Sequence, residues 1–258
     1  MELRKRKEQE FHNLIRDDDG RLDAARSNKK FYSIGRASAA FLEEWLRSRS
    51  SGRKLLDYGC GNGESAIRAA KIGFEVTGID ISDVSVGNAR EAVSREKLDG
   101  KVQFLVADCE ALAFEDNSFD VIYESGVLHH LDIQRAFPEL ARVLKPDGEV
   151  ICHEGLADNP LINLYRKMTP HLRTEWEAKH ILRVGDLKLA KRYFGKVEAR
   201  FFHLFTIAAV PFRNTRFFPG LLRILERIDS AVLRVPFVRT QAWQIVFVLS
   251  QPIKALFK

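Results

Sequence analysis

Between residues 53 and 155, short apolar segments alternate with helix-like segments, and this alternation constrains the fold more than any other feature of the chain. The apolar segments are rich in β-branched residues and read as strands. Strands that are apolar along their whole length are covered on both faces, which is typical of a parallel sheet with helices on both sides. We therefore expect a doubly wound α/β fold. The predicted strands are KLLDY, FEVTGID, VQFLVAD, FDVIYES and GEVICHE.

The other segments predict how the rest of the chain is organised around this core. The 258 residues are 45% hydrophobic, which suffices for one large domain, and residues 184–258 are expected to add a last helix and two strands. Residues 1–50 and 156–183 interrupt the alternation. We expect them to be helical lids over the carboxyl edge of the sheet, where open α/β folds hold ligands. In the predicted helix IQRAFPELARVL, Pro138 is expected in the first turn.

Composition excludes several classes of protein. Cys60, Cys109 and Cys152 lie far apart, so the sequence predicts neither a disulfide framework nor a structural zinc site. The basic N-terminus is followed by no apolar signal region, and eighteen apolar residues never run together. We therefore expect a cytoplasmic protein. The net charge of +6 permits anionic partners but does not choose among them.

A glycine-rich loop follows the first predicted strand in LLDYGCGNGES. Gly59, Gly61 and Gly63 allow main-chain N–H groups to approach a polar ligand closely, and the next helix begins there. Dinucleotide sites use G-x-G-x-x-G, whereas the spacing here is G-x-G-x-G, with Asp57 directly before the loop. A carboxylate at that point repels a pyrophosphate, which is also negatively charged, but suits a ligand that carries a cation and a ribose. A nicotinamide-dependent dehydrogenase is therefore disfavoured.

Two further acids end the next strands. Asp80 ends the second strand and Asp108 ends the third, so all three carboxylates are expected in one crevice. Asp80 suits a ribose diol, and Asp108 can accept a hydrogen bond from an adenine amino group. The alternative is that each aspartate only caps the helix or turn after its strand. Three acids beside one glycine loop favour a ligand site.

Four blocks together resemble the class I S-adenosylmethionine-dependent methyltransferases, particularly the ubiquinone and menaquinone biosynthesis group. The blocks are LLDYGCGNG, GIDIS, ADCEALAFEDNSFDVIYESGVLHHL and LARVLKPDGEV. The resemblance implies a seven-stranded, mostly parallel, Rossmann-like sheet and S-adenosyl-L-methionine as cofactor. It implies that Asp57 and the three glycines line the methionine half, that Asp80 binds the ribose, and that Asp108 with the Cys109 backbone reads the adenine. The remaining implied cofactor residues are Ile81, Ser125, Val127 and Tyr32.

Methyl transfer to a hydroxyl needs a group that removes its proton. Histidine titrates near neutral pH and can act as that base. The candidates are His129 and His130 after the fourth strand and His153 in the fifth. The alternative is that each of these histidines packs on the sheet or caps a helix. Since no spacing identifies a ligand set, we predict no metal.

The acceptor is predicted from what surrounds the core. Residues 213–239 form a basic amphipathic insertion whose helix carries arginines opposite an apolar side, which fits membrane contact, an acceptor wall or subunit packing. Nucleic acid is disfavoured as a partner, because no nucleic-acid-binding module or methylation loop is present. We expect a small-molecule acceptor, lipophilic or glycosidic, methylated on oxygen, with carbon and nitrogen as the alternative acceptor atoms. The alternatives are a nucleic-acid methyltransferase and a non-catalytic S-adenosylmethionine-binding regulator.

Overall fold

The computed structural model describes residues 2–16 and 29–257, so part of the predicted N-terminal lid, residues 17–28, lies outside the described residues. Within those ranges seven strands form one sheet in the order β3-β2-β1-β4-β5-β7-β6, with only β7 antiparallel to its neighbours. This confirms the predicted doubly wound, mostly parallel sheet. The strands are β1 (Lys54–Tyr58), β2 (Glu75–Asp80), β3 (Val102–Val106), β4 (Phe119–Ser125), β5 (Leu144–Gly155), β6 (Phe194–Phe202) and β7 (Gln244–Pro252).

Helices cover both faces of the sheet. Two apolar layers result, one built on Trp45, Ala69 and Ala89 and the other on Phe137 and Leu140, all buried. Each fully buried large apolar side chain contributes roughly 1.5–3 kcal/mol. The first layer belongs to α3 (Arg36–Arg47), α4 (Glu64–Lys71) and α5 (Asp83–Arg95), and the second to α6 (Ile133–Val143) and α9 (Leu187–Ala190).

The neighbouring parallel strands β1 and β4 mark the point where the strand order reverses. From β1 the chain continues to β2 and β3 on one side, whereas β4 leads to β5 on the other. Loops after β1 and β4 therefore separate towards opposite faces and leave a crevice at their carboxyl ends. The sheet topology itself thus predicts where a ligand binds.

Polar caps set where the helices beside this crevice begin. The Ser82 hydroxyl accepts a hydrogen bond from the Ser85 N–H at 3.0 Å, and Asp132 accepts one from the Gln134 N–H at 3.0 Å. Because Asp132 starts α6 at Ile133, Pro138 is the sixth helical residue, and its predicted place in the first turn was wrong. The missing N–H of Pro138 costs about 3 kcal/mol in a helix interior, which the buried apolar face of α6 offsets.

Additional helices lie over the carboxyl edge of the sheet. In α1, Gln9 donates a hydrogen bond to the Ile81 carbonyl at 2.9 Å and Asn13 donates one to Asp83 at 2.8 Å, so this helix crosses the ends of β2 and β3. No helix within the described ranges is both long and apolar enough to cross a membrane. These additions are α1 (Leu3–Arg16), α2 (Lys29–Tyr32), α7 (Pro160–Met168), α8 (Glu175–His180), α10 (Phe218–Val232) and α11 (Pro236–Arg239).

Candidate functional site

The glycine loop after β1 brings the ends of three strands together. Gly59 has φ of +76°, and a side chain there would collide with that of Val127 at the exit of β4. The Gly61 N–H donates a hydrogen bond to an Asp80 carboxylate oxygen at 2.9 Å, which ties the loop to β2. Only glycine fits this left-handed, crowded position at Gly59. The loop is therefore shaped for close approach of the main chain to a ligand.

A cavity of about 130 Å³ opens at this edge of the sheet. It is small beside ligand pockets of roughly 300–1,000 Å³, because side chains of α1 extend into it. Most of the predicted cofactor residues line it, and the predicted base His130 does as well. These cofactor residues are Gly59, Gly61, Asp80, Ile81, Asp108, Cys109, Ser125 and Val127.

Three predicted cofactor residues lie elsewhere. Asp57 is buried below the loop, where burial raises its pKa to about 7, and among the described residues one of its oxygens has no hydrogen-bond partner. Gly63 precedes α4 and packs against Ala89 and Phe104. Tyr32 is 72% exposed and does not line the cavity.

The two predicted acids that line the cavity also bind the protein's own groups. Asp80 accepts hydrogen bonds from the N–H groups of Gly61 and Ser82, both at 2.9 Å, so it supports the loop as well. Each carboxylate oxygen has two acceptor sites and keeps one for a ligand. Asp108 accepts a hydrogen bond from the Glu110 N–H at 2.9 Å and pairs with Lys5 at 2.6 Å.

Lys5 is a site residue that the sequence prediction missed. Its ammonium group lies 2.6 Å from Asp108 and 3.0 Å from the buried carboxylate of Glu110. Burial lowers the pKa of Lys5, but the hydrogen bonds to both acids raise that pKa by more than burial lowers it, so the ammonium group stays charged. The basic residues at the start of α1 gave no signal of this role, because such residues usually lie on a solvated face.

Glu154 at the end of β5 orients one of the predicted bases. The His129 Nδ1–H donates a hydrogen bond to Glu154 at 2.6 Å, and the other oxygen of Glu154 accepts one from the Leu128 N–H at 2.7 Å. Burial disfavours the His129 cation, but the Glu154 charge raises the His129 pKa. Burial and the charge of Glu154 together raise the pKa of neighbouring Glu124 and keep it neutral. One buried acid is therefore ionised and the other protonated.

The other two candidate histidines differ from His129 in their partners. His130 donates from Nδ1 to Glu8 of α1 at 2.9 Å. His153 donates from Nε2 to Gln244 at 3.0 Å, and its Nδ1 lies 3.3 Å from the Ser125 hydroxyl. Burial lowers the pKa of His153 and favours the neutral ring. Since both nitrogens of His153 have partners, His129 is the better placed base.

A second cavity, of about 120 Å³, lies on the far side of His129. His130 lines the first cavity and His129 lines the second, and their rings are 4.3 Å apart between centroids, so the two cavities adjoin at this pair. Aromatic and charged side chains surround the second cavity. Its lining comprises Phe31, His129, Gly155, Ile162, Tyr165, Arg166, Arg173, Glu177, Ile181 and Trp243.

Within the described ranges, two groups of side chains have atoms close enough to share a metal ion. One is Glu8, His12 and His130, and the other is His129, His130 and Glu177, each with its ligand atoms within 4.8 Å of one another. Hydrogen bonds and ring contacts already account for most of these approaches. The expectation of no metal stays a prediction.

Known proteins resemble the chain in sequence over this region. A family model described as a methyltransferase domain matches residues 56–152. The chain is 42% identical over 102 residues to the 27-O-demethylrifamycin SV methyltransferase of Amycolatopsis mediterranei (strain S699), covering 39% of this chain and 38% of that protein. It is 38% identical over 107 residues to the sterol 24-C-methyltransferase ERG6B of Gibberella zeae, covering 41% and 28%. The chain thus spans less than half the length of these relatives.

A solved structure shows the same fold over more of the chain. Phosphoethanolamine N-methyltransferase 2 of Haemonchus contortus, in complex with S-adenosyl-L-methionine, has a TM-score of 0.61 and 19% identity, covering 93% of this chain and 60% of that one. The matched sequence segment contains β2 to β4 and most of β1 and β5, which carry the glycine loop and the acids. Over residues 56–152 the chain is therefore similar to methyltransferase domains, as its resemblance to the class I S-adenosylmethionine-dependent methyltransferases implies.

Proposed function

We propose that this protein is an enzyme that transfers a methyl group from S-adenosyl-L-methionine to an oxygen of a small-molecule acceptor. The observation that carries the proposal is the position of His129. It lines the second cavity, next to the cofactor cavity, and a buried carboxylate holds its ring through Nδ1. Among the described residues His129 Nε2 has no hydrogen-bond partner, with Glu177 3.9 Å away, so it can take a proton from a group bound in the second cavity.

The residues of the first cavity fit the cofactor. Gly59 and Gly61 bring the main chain to the edge of this cavity, and Asp80 offers free acceptor sites for a ribose. Behind the loop, buried Asp57 has one oxygen without a hydrogen-bond partner among the described residues. When bound, S-adenosylmethionine supplies an electrophilic methyl group on a positively charged sulfur. Lys5 occupies the position on Asp108 that the adenine amino group is expected to use, so Lys5 has to move for that contact to form.

The chain itself has two tasks in this reaction. The lids exclude water and hold the acceptor in line, which supplies most of the acceleration in a reaction with a good leaving group. His129 removes the hydroxyl proton at Nε2, and Glu154 fixes the tautomer and stabilises the imidazolium that forms. A positioned base of this kind contributes roughly 10²–10⁴-fold.

The lining of the second cavity supports a lipophilic acceptor. Phe31 and Trp243 line it and also pack against the apolar cluster that contains Leu222 of α10, so the arginine-rich helix supports the back of this cavity. The matched regions of relatives whose names include rifamycin and sterol acceptors also favour a large apolar molecule. Because one relative's name specifies methyl transfer to carbon, carbon is the alternative acceptor atom.

The test is acceptor-dependent turnover. Purified protein and isotope-labelled S-adenosylmethionine are incubated with a metabolite extract, and products that gain one labelled methyl group are sought by mass spectrometry. The expected result is a labelled product with wild-type protein and much less with His129→Asn. Binding of S-adenosylhomocysteine without any labelled product would favour the non-catalytic regulator. Label on RNA or DNA alone would favour the nucleic-acid alternative.

We also propose that the protein is cytoplasmic and that α10 and α11 contact membrane surfaces. Although the leucines of α10 pack on the protein, Phe217, Ile224 and Phe237 stay 67%, 58% and 88% exposed. Such side chains among arginines suit an anionic lipid interface. Co-sedimentation with vesicles containing anionic lipid should exceed that with neutral vesicles and fall in Phe217→Ser/Phe237→Ser. Equal pelleting of wild type and this variant would contradict the proposal.

A further inference from the structure

Two arginines of the lid after β5 extend into the second cavity. Arg166 lies on α7, and Arg173 follows it before α8. Only 8% of the Arg173 side chain is exposed. Burial and the nearby charge of Arg173 lower the pKa of Arg166 to about 10. Burying two guanidinium groups costs free energy because both lose hydration, and a nearby anion would offset that cost.

The described part of the chain supplies these two cations with one close carboxylate. Arg173 Nε lies 3.4 Å from Glu177, whereas Arg166 has no carboxylate within 4.0 Å among the described residues. Arg166 donates from Nη1 to the Leu156 carbonyl at 2.7 Å and to Asn163 at 3.2 Å. Its Nε and Nη2 have no hydrogen-bond partner within those residues.

The remaining donors have the geometry that binds a planar or tetrahedral anion. A guanidinium presents pairs of parallel N–H groups that match the oxygens of a carboxylate or phosphate. Arg173 uses Nη1 for the Thr169 carbonyl at 3.1 Å, and no hydrogen bond to its Nη2 is seen among the described residues. Both side chains thus keep donors available while their other atoms hold them in place.

The other walls of the cavity suit a flat, apolar body. The Phe31 ring lies 5.3 Å from Tyr165 and 5.2 Å from Trp243, between centroids, and Ile162 and Ile181 complete the apolar surface. His129 lines the same space. An acceptor here would meet aromatic rings, two guanidinium groups and the imidazole together.

We propose that the acceptor carries a carboxylate or a phosphate, which Arg166 and Arg173 bind, on an aromatic or apolar body that bears the hydroxyl. The role of this molecule as methyl acceptor rests on the proposed function, whereas anion binding in the cavity does not. The two arginines therefore select acceptors by charge, and the aromatic rings select them by shape.

The experiment measures binding of simple probes to the full chain saturated with S-adenosylhomocysteine. The probes are benzoate, phenyl phosphate and, as the uncharged match, benzamide, each followed by ligand-observed NMR and calorimetry. We expect benzoate or phenyl phosphate to bind roughly tenfold or more tightly than benzamide. The stronger of the two anions identifies the acceptor group.

Variants assign the binding to the two arginines. Arg166→Gln and Arg173→Gln should each weaken the anion roughly tenfold or more, while Arg166→Lys keeps part of the affinity. Lys167→Gln, which removes an exposed charge from the same helix, is the control and should bind as wild type does. Unchanged S-adenosylhomocysteine affinity and melting temperature show that the variants are folded.

Equal affinity for benzamide and both anions would overturn the proposal, as would anion binding that survives in both glutamine variants. Absence of binding by either anion would overturn it as well. Failure of the proposed function has a different signature, namely no labelled product in the turnover test. Its other form is that wild-type protein does not bind S-adenosylhomocysteine. In that case anion binding is measured without S-adenosylhomocysteine, and the glutamine variants still test whether the two arginines bind the anion.

Discussion

Replacing Glu154 with glutamine tests the proposed base directly. The side chain keeps its size but loses the charge that lies 2.6 Å from His129 Nδ1. A neighbouring opposite charge shifts a pKa by about 1–3 units. We therefore expect the His129 pKa in Glu154→Gln to fall by at least about one unit, because the carboxylate that raises it is gone.

The effect on catalysis follows from the same loss. Activity that needs neutral His129 rises with pH through the His129 pKa, so this limb should move to lower pH in Glu154→Gln. The plateau rate should nevertheless fall roughly 10²–10⁴-fold, because the imidazole is a weaker base and its tautomer is no longer fixed.

The pair also makes stability depend on pH. Because folding raises the pKa of His129, protonated His129 stabilises the fold. This contribution is complete below pH 6.5, the ordinary pKa of histidine, and is lost as the pH rises through the pKa of His129 in the folded protein. The lowered pKa of Glu154 stabilises the fold above its ordinary value of 4.5, and this contribution is lost as pH falls through the folded value. Glu154→Gln should therefore lower the melting temperature most between those two values.

Two measurements decide the matter. NMR titration of labelled histidine gives the His129 pKa in wild type and Glu154→Gln without any acceptor, and S-adenosylhomocysteine release gives the pH–rate profile once an acceptor is found. Glu177→Gln is the comparison: Glu177 lies 3.9 Å from His129 without a hydrogen bond and also raises its pKa, so this variant should lower the His129 pKa less than Glu154→Gln does. An unchanged His129 pKa in Glu154→Gln would refute the reasoning.

Three further predictions concern the cofactor crevice. Asp57→Asn should raise the melting temperature at pH 8 and change it little at pH 4. Burial raises the pKa of Asp57 to about 7, so above the ordinary aspartate pKa of 3.8 the buried carboxyl group increasingly destabilises the fold, and asparagine removes this penalty. Equal effects at both pH values would contradict this. Asp80→Ala should weaken S-adenosylhomocysteine binding in calorimetry by roughly 10–100-fold, and unchanged affinity would remove Asp80 from the site. Gly59→Ala should lower the melting temperature more than Gly52→Ala. Both glycines have positive φ, but only at Gly59 would an added side chain meet Val127. Adding Val127→Ala should then restore the melting temperature of the Gly59→Ala variant.

The periodicity of the chain was enough to predict the sheet. Each predicted core strand is present, and KLLDY and FDVIYES match β1 and β4 residue for residue. The central apolar strands β1 and β4 are buried on both faces, so local pattern and global fold agree there, whereas the edge strand β3 leaves Leu105 and Val106 exposed. Helix interiors were less certain, as Pro138 shows: the Asp132 cap and the buried face of α6 together outweigh the preference of proline for a first turn.

The local sequence also placed residues at the crevice, because a residue that ends a parallel strand necessarily lies at the carboxyl edge. Asp80 follows from this rule because it ends β2, whereas Asp108 lies two residues beyond the end of β3, so its predicted place at the last position of that strand was wrong. The glycine loop follows from the turn that its backbone requires. What the sequence could not decide was which of three histidines has a carboxylate behind it. That depended on Glu154 and His129, 25 positions apart, meeting across β5 and the turn after β4.

Tertiary structure alone decided the contacts made by the lids. Lys5 reaches Asp108 across 103 positions, and Arg166 and Arg173 enter the second cavity from a segment whose sequence has no regular pattern. Partners so distant are brought together by the packing of whole helices, and no local spacing encodes that packing. The sequence by itself therefore determined the sheet and its ligand-binding edge, whereas the three-dimensional arrangement determined which charges face one another there.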